Sequence, residues 1–198
     1  MPSLTTALLL TFCCVASASA QGLEKGIRGG INVSKTSTSG EGEGDSLDWQ
    51  PRGVFGGFVT WRFISWLELQ PEVLYAMKGA KSDEIVEAKL LLDYLEVPVL
   101  ARVTRGASIR YYIAGGPSVG LLLRAKTRAD FGGSVEEIDI KDDLEPVDFS
   151  VVVGGGVEFG SIVVDGRYTH GLTNIEQPSS NDQEIKNRAV SVTIGIKF

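Results

Sequence analysis

Apolar and polar side chains alternate along most of this chain, and in several stretches the alternation is strict. Over residues 67–78 one set of positions holds Leu67, Leu69, Pro71, Val73, Tyr75 and Met77, while the other contains Glu68, Gln70, Glu72 and Lys78. Residues 94–103 sort in the same way, with Leu95, Val97, Val99, Ala101 and Val103 set against Tyr94, Glu96, Pro98 and Arg102. The closing stretch AVSVTIGIKF places Val190, Val192, Ile194, Ile196 and Phe198 on one side. A period of two marks β-strands with unlike faces. Eight such segments are predicted, at about 22–34, 52–63, 66–78, 89–103, 108–125, 147–159, 162–172 and 188–198. Most run to ten residues or more. Strands in ordinary sheets average about 5–6 residues, whereas a tilted strand crossing a bilayer needs roughly 9–11.

The connections alternate too. Tight links follow segments two, four and six (Ile64-Ser65, Thr104-Arg105-Gly106-Ala107 and Gly160-Ser161). Longer polar links such as STSGEGEGDSLD and TNIEQPSSNDQEIKN follow the odd-numbered segments. Short turns at one end, long loops at the other and an even strand number with both termini at the short end are the layout of an outer-membrane barrel. The fold expected is all-β, an eight-stranded antiparallel up-and-down transmembrane β-barrel.

The two faces then acquire meanings. Positions opposite the apolar set include Arg28, Arg62, Glu68, Glu72, Glu96, Arg102, Arg110, Arg124, Glu158, Asp165, Arg167 and Lys197. A soluble barrel that binds a small apolar ligand would carry apolar residues inside and charges outside, and here the order is reversed. Eight strands enclose only enough room for side chains, and charges removed from water need partners. A packed lumen threaded by ion pairs, with no wide aqueous channel, is therefore expected. On the outer set, Trp61, Phe63, Tyr111, Phe159 and Phe198 fall near the short turns, and Phe55, Tyr75, Phe149 and Tyr168 near the long loops. These are candidate interfacial girdles. Pro71, Pro98 and Pro117 lie inside strands, where the missing N–H predicts a bulge or a lost ladder bond.

Composition adjusts this picture in a few places. Glycine makes up 24 of 198 residues and clusters within apolar runs, which disfavours helices there. Residues 1–20 carry no charged side chain, and their short apolar run ends in Ala18-Ser19-Ala20, as in a cleaved secretory signal, leaving residues 21–198 as the barrel domain. Cys13 and Cys14 both fall in that leader, so the expected mature chain has no disulfide. A net charge of −6 without basic runs offers no footprint for nucleic acid.

Candidate chemistry is sparse. His170 is the only histidine, and its parity turns it towards lipid; a membrane hydrolase would need a nucleophile and a carboxylate on that same surface. The acidic run VEEIDIKDDLEP (135–146) lacks the spacing of a calcium-binding loop and reads as a solvated surface segment. VVVGGGVEFG has no Gly-Lys-Ser/Thr and no following helix, so its glycines are assigned to crowding or curvature in the wall. No catalytic, metal or cofactor-binding residue is assigned.

The phrases LQPEVLYAMKGAK (69–81), LDYLEVPVLARV (92–103), YIAGGPSVGLLL (112–123), VDGRYTHGLTNI (164–175) and VSVTIGIKF (190–198) resemble the PorT-type outer-membrane β-barrel domain common in Bacteroidetes. The resemblance implies an eight-stranded barrel similar in architecture to the OmpA and OmpX barrels, and a tie to protein secretion as in PorT. Expected partners are the outer-membrane bilayer, the insertion machinery reading the C-terminal strand, and a protein met by the long loops. Both termini are expected in the periplasm. On fractionation the protein should pellet with outer membranes and change gel mobility on boiling; recovery in the soluble periplasm would refute this reading.

Overall fold

The computed structural model describes residues 22–39, 48–82, 87–130, 135–141, 144–173 and 184–198; the expected signal segment and most of the two polar links lie outside them. The described residues form nine strands: β1 (Leu23–Ser39), β2 (Asp48–Ile64), β3 (Leu67–Ser82), β4 (Glu87–Gly106), β5 (Ile109–Asp130), β6 (Val135–Asp139), β7 (Val147–Phe159), β8 (Ile162–Gly171) and β9 (Glu184–Lys197). All neighbouring pairs are antiparallel, and β1 pairs with β9 while β4 pairs with β5, so eight strands close on themselves. The ninth, β6, is a short addition that pairs with the end of β5, Lys126 to Asp130. The acidic run read as a solvated loop is thus partly a strand.

The segments expected from alternation all appear, and they match best at their short-turn ends. Their other ends run on: β1 and β2 by several residues each, and β9 back to Glu184. Residues at both margins of the polar links are therefore ladder, because backbone pairing with a neighbouring strand does not require apolar side chains.

Alternation has the predicted sense. Ile27, Ile31, Val73, Val97, Val99, Val103, Val190, Val192, Ile194 and Ile196 are all exposed, while Arg28, Glu68, Gln70, Glu72, Glu96, Arg102 and Thr193 between them are buried. The aromatics of both girdles face outwards. Phe149 and Phe159 stand ten residues apart on β7, roughly 25 Å of depth at 3.3 Å per residue and a 40° tilt, which is the height of a transmembrane apolar band. Trp66, in the Ser65-Trp66 turn, adds an exposed ring at the short-turn rim.

Arg124 is the exception to the expected inner set: it is exposed. Asp93 pairs with Arg124, but the next residue, Tyr94, pairs with Leu122, so Leu123 is an extra residue in β5. This bulge turns Leu123 and Arg124 outwards together, and alternation resumes with buried Ala125. A one-residue insertion reverses parity for everything beyond it.

The prolines produce lost pairs without a change of register. Between β3 and β4 the ladder runs to Pro71↔Val99 and resumes at Leu74↔Glu96; between β4 and β5 it runs to Pro98↔Ser118 and resumes at Ala101↔Gly115. The β2–β3 ladder skips likewise between Phe58↔Glu72 and Trp61↔Leu69. Each break abuts a proline, and the three lie on neighbouring strands. Placing a charge on the intact lipid face tests the depth assignment: Ile194→Arg, near mid-depth, should cost about 2–4 kcal/mol of folding free energy, and Ile162→Arg, beside the tight turn, about 0–1 kcal/mol. Equilibrium unfolding in lipid vesicles would compare them, and equal costs would contradict the assignment.

Candidate functional site

The inward set converges on a polar core with two hubs. Asp165 of β8 accepts hydrogen bonds from Arg28 Nη1 at 2.7 Å, Tyr112 Oη at 2.7 Å, Thr193 Oγ1 at 2.9 Å and Arg167 Nε at 3.0 Å. Glu72 of β3 takes the two outer nitrogens of Arg167 at 2.7 and 3.0 Å, with Arg28 Nη2 at 3.6 Å and Gln70 Nε2 also in contact. Five strands are tied together at this level.

Towards the short turns the pattern repeats with new partners. Arg102 bonds Glu158 and, at 2.6 Å, Gln70 Oε1, while its guanidinium lies 3.8 Å from the centre of the Tyr112 ring. Arg110 reaches Glu68 and Glu158, and Lys197 bridges Glu158 at 2.8 Å and Glu24 at 2.9 Å. Arg62 joins Glu24 to Glu68 at 3.1 and 3.0 Å. On the long-loop side Lys78 sits 2.6 Å from Glu96 and 3.7 Å from Asp148.

In these clusters seven cations (Arg28, Arg62, Lys78, Arg102, Arg110, Arg167, Lys197) thus face seven carboxylates (Glu24, Glu68, Glu72, Glu96, Asp148, Glu158, Asp165), and Arg52 pairs besides with buried Asp93 at 3.2 Å. The balance makes burial tolerable, because each charge removed from water regains an opposite charge and directed hydrogen bonds. It also fills the short-turn half of the lumen.

Glycine makes the packing possible. A Cβ on Gly156 would lie 2.6 Å from Asp165 Cβ and 2.7 Å from Tyr112 Oη, and one on Gly154 would lie 3.0 Å from Arg167 Cγ. Gly154 and Gly156 of the triplet therefore relieve crowding around the hub, as the sequence context suggested.

Above the network lies a recess of about 20 Å³ whose walls include Asn32, Leu74, Val152, Thr169, Ala189 and Ser191. That volume suits water and is far below the roughly 300 Å³ of a small-molecule site. Beside it an apolar cluster of Leu92, Tyr94, Leu122 and Ala125 is covered by Ile140 and Leu144, which follow β6. Ile140 N–H bonds the Ala125 carbonyl at 3.2 Å, and Leu122 N–H bonds that of Pro146 at 2.8 Å. Ile140 and Leu144 of the acidic segment therefore fold back onto inward-facing residues at the long-loop end, which the segment's charge pattern did not reveal.

Sequence parity placed His170 on the outer surface, and so does the register, with neighbouring Thr169 lining the recess. Its ring nitrogen Nδ1 is 3.4 Å from Tyr168 Oη. Among the described residues no serine or carboxylate completes a triad with it. No group of three or more metal-ligating side chains occurs among them either.

A closed antiparallel barrel with an apolar outer band, two aromatic girdles and a charged, packed interior is an integral membrane β-barrel. The chain belongs to the outer membrane protein beta-barrel domain family, which matches residues 17–177. Its place is therefore the outer membrane. Solved structures similar in fold include the outer membrane protein OprG from Pseudomonas aeruginosa, 11% identical with a TM-score of 0.51 over 90% of this chain and 97% of that one. The attachment invasion locus protein Ail of Yersinia pestis is 16% identical, with a TM-score of 0.48 over 90% of this chain and 100% of its own. The outer membrane enzyme PagL is 15% identical, with a TM-score of 0.44 over 84% and 98%. No curated protein matches the chain by sequence.

If the hub holds the wall together, Asp165→Ala should lower unfolding free energy by about 3–5 kcal/mol, since Arg28 and Arg167 would be left buried with only Glu72 to share and Tyr112 and Thr193 would lose their acceptor. Loss of the exposed Lys126–Glu137 pair (3.0 Å) through Lys126→Ala should cost no more than about 1 kcal/mol. Urea titration in lipid vesicles, read by gel mobility without boiling, separates the two; equal effects would deny the hub its role.

Proposed function

We propose that this barrel is a surface-recognition protein whose working part is the tall side of its wall. The observation that carries this is strand length. β4 and β5 run for 20 and 22 residues, roughly 50 Å or more of height at a 40° tilt, against about 25 Å of apolar band. β8, at 10 residues, scarcely exceeds the band. The wall therefore rises well beyond the bilayer on one side, stiffened by β6 and by the cover that Ile140 and Leu144 make. Such a β-rim offers a partner fixed backbone and side-chain geometry at little ordering cost.

Both termini and the tight turns lie in the periplasm in this reading, and the closing strand ending at Phe198 serves as the contact for the insertion machinery. The packed lumen favours adhesion or assembly over transport. A role in protein secretion is the narrower version, supported by the PorT-like phrases in β3, β4, β5 and β8.

An epitope tag placed between residues 83 and 86 should be stained on intact cells, whereas one at Ala107-Ser108 should need permeabilisation; the opposite pattern would invert the orientation. A photo-crosslinking residue replacing exposed Ile138 should trap a defined protein band in living cells. The same residue at Ser108 should not give that band, and its absence from Ile138 would remove the recognition role from this rim. Reduced release of exported proteins on deletion of the chain would select the secretion version.

A further inference from the structure

The outer surface at the short-turn end carries positive charge that the lumen network does not use. Lys25 and Arg105 face outwards there, and among the described residues no acidic side chain does. The acids at this level, Glu24, Glu68 and Glu158, point into the lumen, where each already holds at least two cations. The remaining residues cannot supply an anion either. Residues 1–21 contain no Asp or Glu, and the links outside the described residues join strands at the opposite rim, roughly 25 Å or more away. Phe198, with its carboxylate, ends β9, four strands from β4.

The two cations differ in their surroundings. Lys25 Nζ lies 5.5 Å from the centre of the Phe198 ring, so an aromatic face accommodates its charge. Arg105 makes no ion pair, hydrogen bond or ring contact among the described residues. It pairs in register with Tyr111 on β5, and the N–H of its neighbour Thr104 bonds the Trp66 carbonyl at 2.9 Å. Tyr111 and Trp66 are both more than half exposed. Two residues deeper in the wall Val103 pairs with Ile113, and both are exposed. An arginine flanked by two amphipathic rings thus borders an apolar patch.

Depth fits the same picture. Leu95 on β4 pairs with Tyr75 of the girdle near the long loops, and Arg105 lies ten residues further on, roughly 25 Å of depth at a 40° tilt. Arg105 therefore stands at the near edge of the apolar band, level with lipid headgroups. A charge on a lipid-facing surface is costly unless it meets a counter-charge.

We propose that Arg105, with Tyr111 and Trp66, binds the phosphate of an anionic phospholipid in the leaflet at the short-turn end. The guanidinium offers a planar pair of N–H groups to two phosphate oxygens, and a phenol and an indole N–H add donors at headgroup depth. Val103 and Ile113 meet the start of the acyl chains. A zwitterionic headgroup brings a cation of its own, for which this surface has no carboxylate; an anionic one does not. The site depends neither on the tall rim nor on which compartment the short turns face.

The test uses the full-length protein in detergent, titrated with phosphatidylglycerol, phosphatidylcholine or inorganic phosphate and read by native mass spectrometry. Wild type should retain phosphatidylglycerol several-fold better than phosphatidylcholine. Arg105→Gln should reduce that retention roughly fivefold, as expected for removing one cation beside an anionic headgroup. Tyr111→Phe, which removes a single donor, should reduce it about threefold. Arg105→Lys should keep most of it, and Lys25→Gln should leave it nearly unchanged. All variants are checked for unboiled gel mobility, and Tyr111→Phe keeps the question answerable if Arg105→Gln folds poorly. Equal retention of the two lipids by wild type, undiminished retention by Arg105→Gln and Tyr111→Phe, or a loss in Lys25→Gln as large as in Arg105→Gln would overturn the site. Displacement by millimolar inorganic phosphate would overturn its assignment to a lipid.

Discussion

In hydrocarbon a peptide group has no water to fall back on, so every strand that crosses must pair on both sides. Closure of β1 on β9 meets that demand, and the rest of this molecule follows from it. The wall must be complete before either face has a meaning, because only closure separates a lipid side from a lumen. The prolines show how firm the constraint is. At Pro71, Pro98 and Pro117 the ladders skip, yet register is identical on either side of each gap, so flanking bonds hold the wall where a donor is missing.

Closure also creates the interior problem. Eight strands leave space for side chains alone, and this chain fills it with charge instead of hydrocarbon. Such a core gains less from burial than an apolar one, and it is unforgiving of single deletions because an orphaned ion stays buried. In return it defines register: Arg28, Tyr112 and Thr193 meet at Asp165 from three other strands only when those strands are correctly staggered. The same residues that make the lumen impassable make the barrel specific. Glycines at 154 and 156 are the complement of these long side chains, small where Arg167 and Asp165 need room.

The wall is uneven in height. β4 and β5 run on well past the length needed to cross the apolar band and carry the fold-back after β6, whereas β8 scarcely exceeds it.

Much of this was legible in the chain itself. Alternation is a local property, so the strands, their lipid and lumen faces, the girdles, the tight turns and the existence of an ion-paired lumen all followed from residue order. Parity was lost where one residue was added: the bulge at Leu123 turned Arg124 outwards, and nothing in the sequence LLLRAK marks it. Which charges pair, and that Ile140 and Leu144 fold back onto the cluster of Leu92, Tyr94, Leu122 and Ala125, were decided by the fold alone. These depend on the stagger between strands distant in sequence, and stagger is set when the ring closes and all its ladders must agree at once.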